Sequence, residues 1–422
     1  MAALDVRLRS ASPGLLTLPW RLPLEEWDPT AVRFRDVPIG PSRHLVRFVE
    51  ADGSVWALKA MPRRAATHEY DLLRTLETRA LTAVRAAGVV IQPRDDDAVL
   101  ITRYLERSWQ YRRLLMRVRP DATVHRARLF DAVASLIVDL HRNGIFWGDC
   151  SLANTLFTRD GQVMQAWLVD AETAEAHPTL SDGQRTADLE IMFDNVAGGL
   201  VDVAARRGEL PEGFDQAVAE AQGVVDRYEE LWALLHSRPR VGADPREAVS
   251  ARVRDLEDVG FAVEEVRLEA EGDDDLRLSV AVGGRRFHAL QFRALTGLDV
   301  GEGQARILLS DLRTTWHAWE QERGTQIPEV VAAHEWLLRR FAPGVERAHQ
   351  AVGGHGDPVQ AYCDLLEVRW LLSEQAGHDV GDEPALAALA ERRTPGGSAA
   401  EAAIVDLPTQ EIPVVHPGEP PP

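Results

Sequence analysis

The chain has 422 residues, 45% of them apolar, enough to bury a large core and to divide into two or three domains. Its 47 basic residues against 66 acidic ones leave a net charge of −19, which repels phosphate backbones and anionic lipid and argues against a nucleic-acid or membrane-surface role. Two distant cysteines, Cys150 and Cys363, make neither a disulfide framework nor a CxxC metal site, and no run of about 18 apolar residues occurs, so the chain reads as soluble, cytoplasmic and without a membrane span.

Residues 1–31 carry prolines and tryptophans and read as a leader segment. From 32 to 102 the pattern is strand-like around one helix. VRFRDVPI and HLVRFVE flank GPSR, ADGS turns the chain into VWALKAM, and THEYDLLRTLETRALTAVRAAG has helical spacing with Leu72, Leu73, Leu76 and Leu81 on one side. VVIQP and AVLITRYL then read as two strands joined by RDDD. VWALKAM holds Lys59, the sole lysine of the sequence; the other 46 of the 47 basic residues are arginines. Strand alternation places Lys59 on the face of Ala57 and Met61, and a half-buried ammonium needs a carboxylate partner. Glu69, on the apolar stripe of the following helix, is the expected one, with Glu77 as the other candidate.

Helices dominate residues 108–236. Within them, LHRNGIFWGDCSLANTLF brings a helix end, a turn, Asp149 and, five residues later, Asn154. NTLFTRDGQVMQAWLVDAE then reads as strand, Asp-Gly turn, strand. A hairpin brings its open ends together, so Asn154 before the first strand and Asp170 after the second should lie side by side, one short loop from Asp149. Two carboxylates and a carboxamide at one rim make a hard oxygen site suited to Mg²⁺. His141 is expected to pack at the preceding helix end, and Asp188 to hydrogen-bond the backbone of the Asp149 loop. Glu172 is either a further metal contact or a solvated turn residue.

A second half, 245–385, opens with a helix, continues in three β segments (EEVRLEAE, LRLSVAVG, RRFHALQF) and ends in amphipathic helices. There Glu367 with Arg369 reads as a helix ion pair and Trp370 as a buried anchor. Residues 390–422, rich in Pro, Gly, Ala and Glu, read as a disordered tail.

GDCSLAN followed by LVDAE resembles the catalytic and metal-binding segments of the protein-kinase-like superfamily, nearest its lipopolysaccharide-kinase and small-molecule phosphotransferase branches, over roughly residues 32–236. The resemblance implies an α+β, bilobal protein-kinase-like fold, with a β-rich N-lobe and a mostly helical C-lobe, followed by a smaller α+β domain. It implies ATP and Mg²⁺ as cofactors, Asp149 as catalytic base, Asn154 and Asp170 as metal ligands, and Lys59 on the α- and β-phosphates while paired with Glu69. Gly40, Ser42 and Arg43 of IGPSRH would then face the phosphates. On that reading the lone lysine persists because the wider, planar guanidinium cannot replace a compact ammonium between a carboxylate and two phosphates. The sequence departs from the pattern in its single loop glycine, in Trp147 where relatives often carry histidine, and in the missing Phe-Gly after Asp170. No long activation segment follows, which favours a small-molecule or glycan hydroxyl over a protein acceptor. The layout further resembles an actinobacterial family that joins such a half to a C-terminal domain of unknown function, with YCDLLEVRWLLSEQAGHDVG its most characteristic run. Two functions fit: a phosphotransferase, or a pseudokinase whose nucleotide-binding half regulates a protein partner held by the C-terminal domain.

Overall fold

The structure is a computed structural model that describes residues 4–9, 12–37, 43–93, 97–117, 123–211, 213–241, 245–270, 276–354 and 356–391. Gly40, Ser42 and nearly all of the expected tail lie outside the described residues.

Alternating apolar residues build a six-stranded antiparallel sheet from β1 (Asp5–Leu8), β2 (Phe34–Arg35), β3 (Val46–Ala51), β4 (Ser54–Pro62), β5 (Ala86–Ile91) and β6 (Asp97–Arg103), in the order β1-β5-β6-β4-β3-β2. Because strand side chains alternate, Leu100 and Ala98 of β6 enter the main core while Val99 and Ile101 enter a second one on the opposite face. The segment read as a leader covers that second face. A single turn of helix, α1 (Pro13–Leu16), leads into Trp20, Leu24 and Trp27, which are buried against Trp56, Leu58, Val90 and Ile101. The two indoles meet edge to face at 5.1 Å, and Gln92 donates to the carbonyls of Trp20 and Leu22.

Helix α2 (Arg63–Thr78) crosses the inner face and buries Leu72, Leu73 and Leu76. It is shorter than the sequence pattern suggested: the chain leaves the helix at Thr78, Ala80 takes a positive φ of 55°, and Ala86–Ile91 is strand. All six residues of β5 are buried, so Ala86 and Ala87, expected in the helix, join Val89, Val90 and Ile91 in filling both faces of an inner strand.

Helices α3 (Tyr111–Arg117) and α4 (Thr123–Arg142) begin the second lobe, preceded by β7 (Trp109–Gln110). After α4 come β8 (Ile145–Phe146), the hairpin β9 (Thr155–Asp160) and β10 (Val163–Leu168), and β11 (Glu175–Ala176). Two long helices follow, α5 (Asp182–Arg207), which opens with a Ser181/Gln184 capping box, and α6 (Gly213–His236). Next stand β12 (Arg240–Val241), α7 (Arg246–Asp258), β13 (Val263–Ala270) and β14 (Leu276–Val282). The remainder is helical: α8 (Phe287–Thr296), α9 (Glu302–Arg323), α10 (Glu329–Trp336), a π turn at Leu337–Phe341, α11 (Ala342–Ala351), α12 (Pro358–Ala376) and α13 (Asp382–Ala390). The whole is α+β: a sheet lobe, a helical lobe and a smaller α+β region.

Two expectations for the second half fail. RRFHALQF is not a strand but the start of α8, where Ala289 and Phe292, three apart, share a buried face. Trp370 is 60% exposed, and Arg369 pairs with Asp379 and Asp382 rather than with Glu367, which lies 3.8 Å from Arg159. Leu256 and Phe261 belong to the same core as α4, α5 and α6, so the opening of the second half completes the core of the first. Among the described residues no helix is long and apolar enough to cross a membrane.

Candidate active site

The ends of several elements converge where the sheet lobe meets the helical lobe. Lys59 stands on β4, and its Nζ donates to Glu69 Oε2 at 3.0 Å and to Asp170 Oδ2 at 2.7 Å, with Glu172 Oε2 a further 3.6 Å away. Glu69 is therefore the partner of the lone lysine, whereas Glu77 pairs with Arg9. Helix α2 is tied to the segment after β10 by two more bonds: Ala171 N–H donates to Glu69 Oε1 at 3.2 Å, and His68 Nε2 lies 2.8 Å from the Ala174 carbonyl.

Glu69 is 1% exposed; burial pushes its carboxyl up to about 7, with Lys59 pulling it down and Asp170 pushing it further up. Lys59 is held above its ordinary value, because Glu69 and Asp170 outweigh the opposing effect of burial. One ammonium serves three carboxylates, so it stays charged while the most buried of them moves toward the neutral form.

Asp149 sits in the loop between β8 and β9. Its Oδ2 accepts from Asn154 Nδ2 at 2.9 Å and its Oδ1 from Asn195 Nδ2 at 3.1 Å. Burial raises its pKa, Asn154 lowers it, Asp170 raises it, and Arg43 and Asn195 lower it. Arg43 therefore lies close enough for its charge to be felt at Asp149, although its own side chain is exposed. The hairpin ends meet as the spacing predicted: Val169 N–H donates to the Asn154 carbonyl at 3.1 Å, which places Asp170 beside Asn154. Val84 N–H donates to the Leu168 carbonyl at 2.9 Å and Leu168 N–H to the Thr82 carbonyl at 3.0 Å, which fastens this end of β10 to the sheet lobe.

Asp188, 2% exposed on α5, carries the loop. Its two oxygens accept from Trp147 N–H at 2.7 Å and Gly148 N–H at 2.8 Å, and His141 Nε2 lies 3.0 Å from it while Nδ1 meets Tyr228 Oη at 2.9 Å. Trp147 donates its indole N–H to the Asp170 carbonyl at 3.2 Å. Glu172 turns to His44 Nε2 at 2.9 Å, a contact between lobes that sequence reasoning left open. Asn195 escaped sequence reasoning altogether; its one signal was its place seven residues after Asp188, on the same face of α5.

Among the described residues no three His, Cys, Asp or Glu side chains form a cluster that could hold a metal ion. Asp170 is turned to Lys59 and Asn154 to Asp149. Their chemistry still suits a hard cation: Asn154 donates through its nitrogen and so has its carbonyl oxygen to offer, and Asp149, Glu69, Asp170 and Glu172 outnumber the neighbouring cations Lys59 and Arg43.

Residues 51–201 match the lipopolysaccharide kinase (Kdo/WaaP) family. Over this stretch the chain is similar to the lipopolysaccharide kinases. Residues 230–392 match a domain of unknown function, DUF4032, so the kinase-like half is joined to a second, separately described unit. Among solved structures, "WaaP in complex with acyl carrier protein" is 18% identical and covers 54% of this chain and 90% of its own, with a TM-score of 0.35. No curated protein matches the sequence.

Proposed function

We propose that the kinase-like half transfers the γ-phosphoryl group of ATP, with Mg²⁺, to a hydroxyl of a small molecule or glycan. The observation that supports this best is the shared hold on Lys59, which Glu69 and Asp170 grip from two lobes at the rim that Asp149 and Asn154 complete. Phosphoryl transfer asks little covalent chemistry of a protein and depends on positioning and on neutralising charge. Lys59 would contact the α- and β-phosphates, Asn154 and Asp170 would hold Mg²⁺, and Arg43, with Gly40 and Ser42, would face the phosphates. Asp149, oriented by two amides, would accept the acceptor's proton. The cation, when bound, would neutralise the carboxylate excess and the phosphate charge.

The test is a thermal-shift titration of the full chain with ATP and Mg²⁺. At about 100 times Kd, a ligand selective for the native state stabilises it by about 2.7 kcal/mol, a rise of a few degrees. The shift is expected to need both components and to vanish in Asp170→Asn and Lys59→Met variants. A chain whose midpoint neither nucleotide nor metal moves would refute the reading.

A further inference from the structure

We propose that the C-terminal half positions Asn154 and Asp170 by clamping the far end of the hairpin that carries them, with Asp160 and Gln360 as the positioning residues. The functional meaning of those two residues rests on the phosphotransferase reading above.

The β9–β10 turn is an ordinary Asp-Gly hairpin by sequence, and Gly161, with φ of 63°, occupies the first loop position as a two-residue II′ turn requires. A hairpin turn normally sits in water. Here the Asp160 carboxylate is 5% exposed and enters the N-terminus of α9, where Oδ2 accepts from Gly303 N–H and Oδ1 from Gln304 N–H, both at 2.9 Å. Residue 301, which precedes that helix, is a glycine with no capping side chain to offer, so the kinase-like half supplies the cap of a 22-residue helix in the second half. Gln360 on α12 grips the next residue on both sides: Gly161 N–H donates to its Oε1 at 2.8 Å, and its Nε2 donates to the Gly161 carbonyl at 2.9 Å. Arg159 reaches Asp364 at 2.8 Å. The approach is so close that a Cβ on Gly303 would stand 2.0 Å from the Asp160 carbonyl oxygen.

From this clamp the ladder runs without a break from Asp160↔Val163 to Thr155↔Leu168 and closes at the Asn154–Val169 bond. Six residues per strand make a stiff ribbon about 20 Å long, so a tilt at the turn is delivered to its open end. A second hold lies on the other chain segment that leads to the site. Arg142, the last residue of α4, donates to the Val282 carbonyl at 2.9 Å and to Gly283, with its guanidinium 4.9 Å from the Phe261 ring centroid. Both backbone paths into the Asp149–Asp170 rim are therefore fixed from the C-terminal half.

Gln360→Ala removes both bonds to Gly161 at little risk to folding; Asp160→Asn is the sharper second variant, and Leu389→Ala, in the helical core of the C-terminal half but away from the hairpin, controls for general destabilisation. Hydrogen exchange of the full chain is expected to quicken along the whole of β9–β10, as far as the Val169 amide, by between about two- and thirtyfold in the clamp variants and not in the control. Mn²⁺ with ATP, followed by the spin resonance of the metal, should bind more weakly by a factor in the same range of about two to thirty. Exchange that quickens only around the turn, or metal affinity equal to wild type, would overturn the proposal. If wild type binds no Mn²⁺ with ATP, the phosphotransferase reading fails, while the exchange at Val169 still decides whether the clamp reaches the site.

Discussion

Lys59 has more negative charge around it than one ammonium can neutralise, and the excess falls on the most buried partner. Glu69 in the folded chain stands at about 7, above the about 4.3 of an unfolded glutamate, so the native state binds a proton more readily than the unfolded state. That contribution to stability is complete below the unfolded value and is lost as pH rises through about 7. Melting midpoints measured from pH 4.5 to pH 8 should show wild type losing ground, with rising pH, to Glu69→Gln, which has no such proton to lose. Parallel curves for the two proteins would mean that Glu69 is ionised throughout. The pairing of Lys59 with Glu69 and the nearness of Asp149 to Asn154 were legible because they follow from strand alternation, a helix stripe and a five-residue loop, whereas the bond that turns Asn154 to Asp149 was not. The Asn195 contact was not, since an asparagine inside a helix carries no local sign of what it faces.

At the scale of elements, burial on both faces separates what periodicity confuses. The stripe of α2 was readable, but its end was not, because the run 81–87 suits a helix by spacing and only the pairing of β5 between β1 and β6 draws Ala86 and Ala87 into the strand that the sequence places at 89–91. The same ambiguity inverted RRFHALQF. Edge strand β1 depends on close approach: a Cβ at Gly88 would meet the Arg7 carbonyl oxygen at 2.4 Å. Gly88→Ala is expected to cost about 1–3 kcal/mol in urea unfolding. It should also quicken amide exchange in β1 more than in β3, which lies across the sheet. Equal exchange in both strands would argue against a local clash. The packing of Trp20 and Trp27 over the outer sheet face depends on long-range contacts that no short window of sequence contains.

Over the whole molecule, the two halves share a core. Phe261, 1% exposed, lies beneath Arg142 and Arg285, within the cluster that also holds α4 and α6. Phe261→Ala should therefore cost about 3–5 kcal/mol, and the loss should appear in the kinase-like half, read as faster exchange in α4. Were the loss confined to β13 and β14, the halves would be energetically separate. The exposed Trp370 belongs to this scale too: its place on α12 was clear, but which face of that helix is covered depends on where α9, α11 and α13 pack.

Periodicity and turn chemistry by themselves marked out a strand-rich stretch before a helix-rich one, the hairpin, and Glu69 ahead of Glu77 as the partner of Lys59, because each rests on residues close in sequence or on a repeat that a few turns reveal; the bilobal class came from the resemblance. Tertiary structure alone decided the end of α2, the layer formed by the first 31 residues, the orientation of Asp149 by Asn195 and the capture of the Asp160 turn by α9 and α12. The reason is physical: burial and hydrogen-bond partnership are properties of the packed surface, and a carboxylate in an Asp-Gly turn looks the same in sequence whether it faces water or the N-terminus of a distant helix.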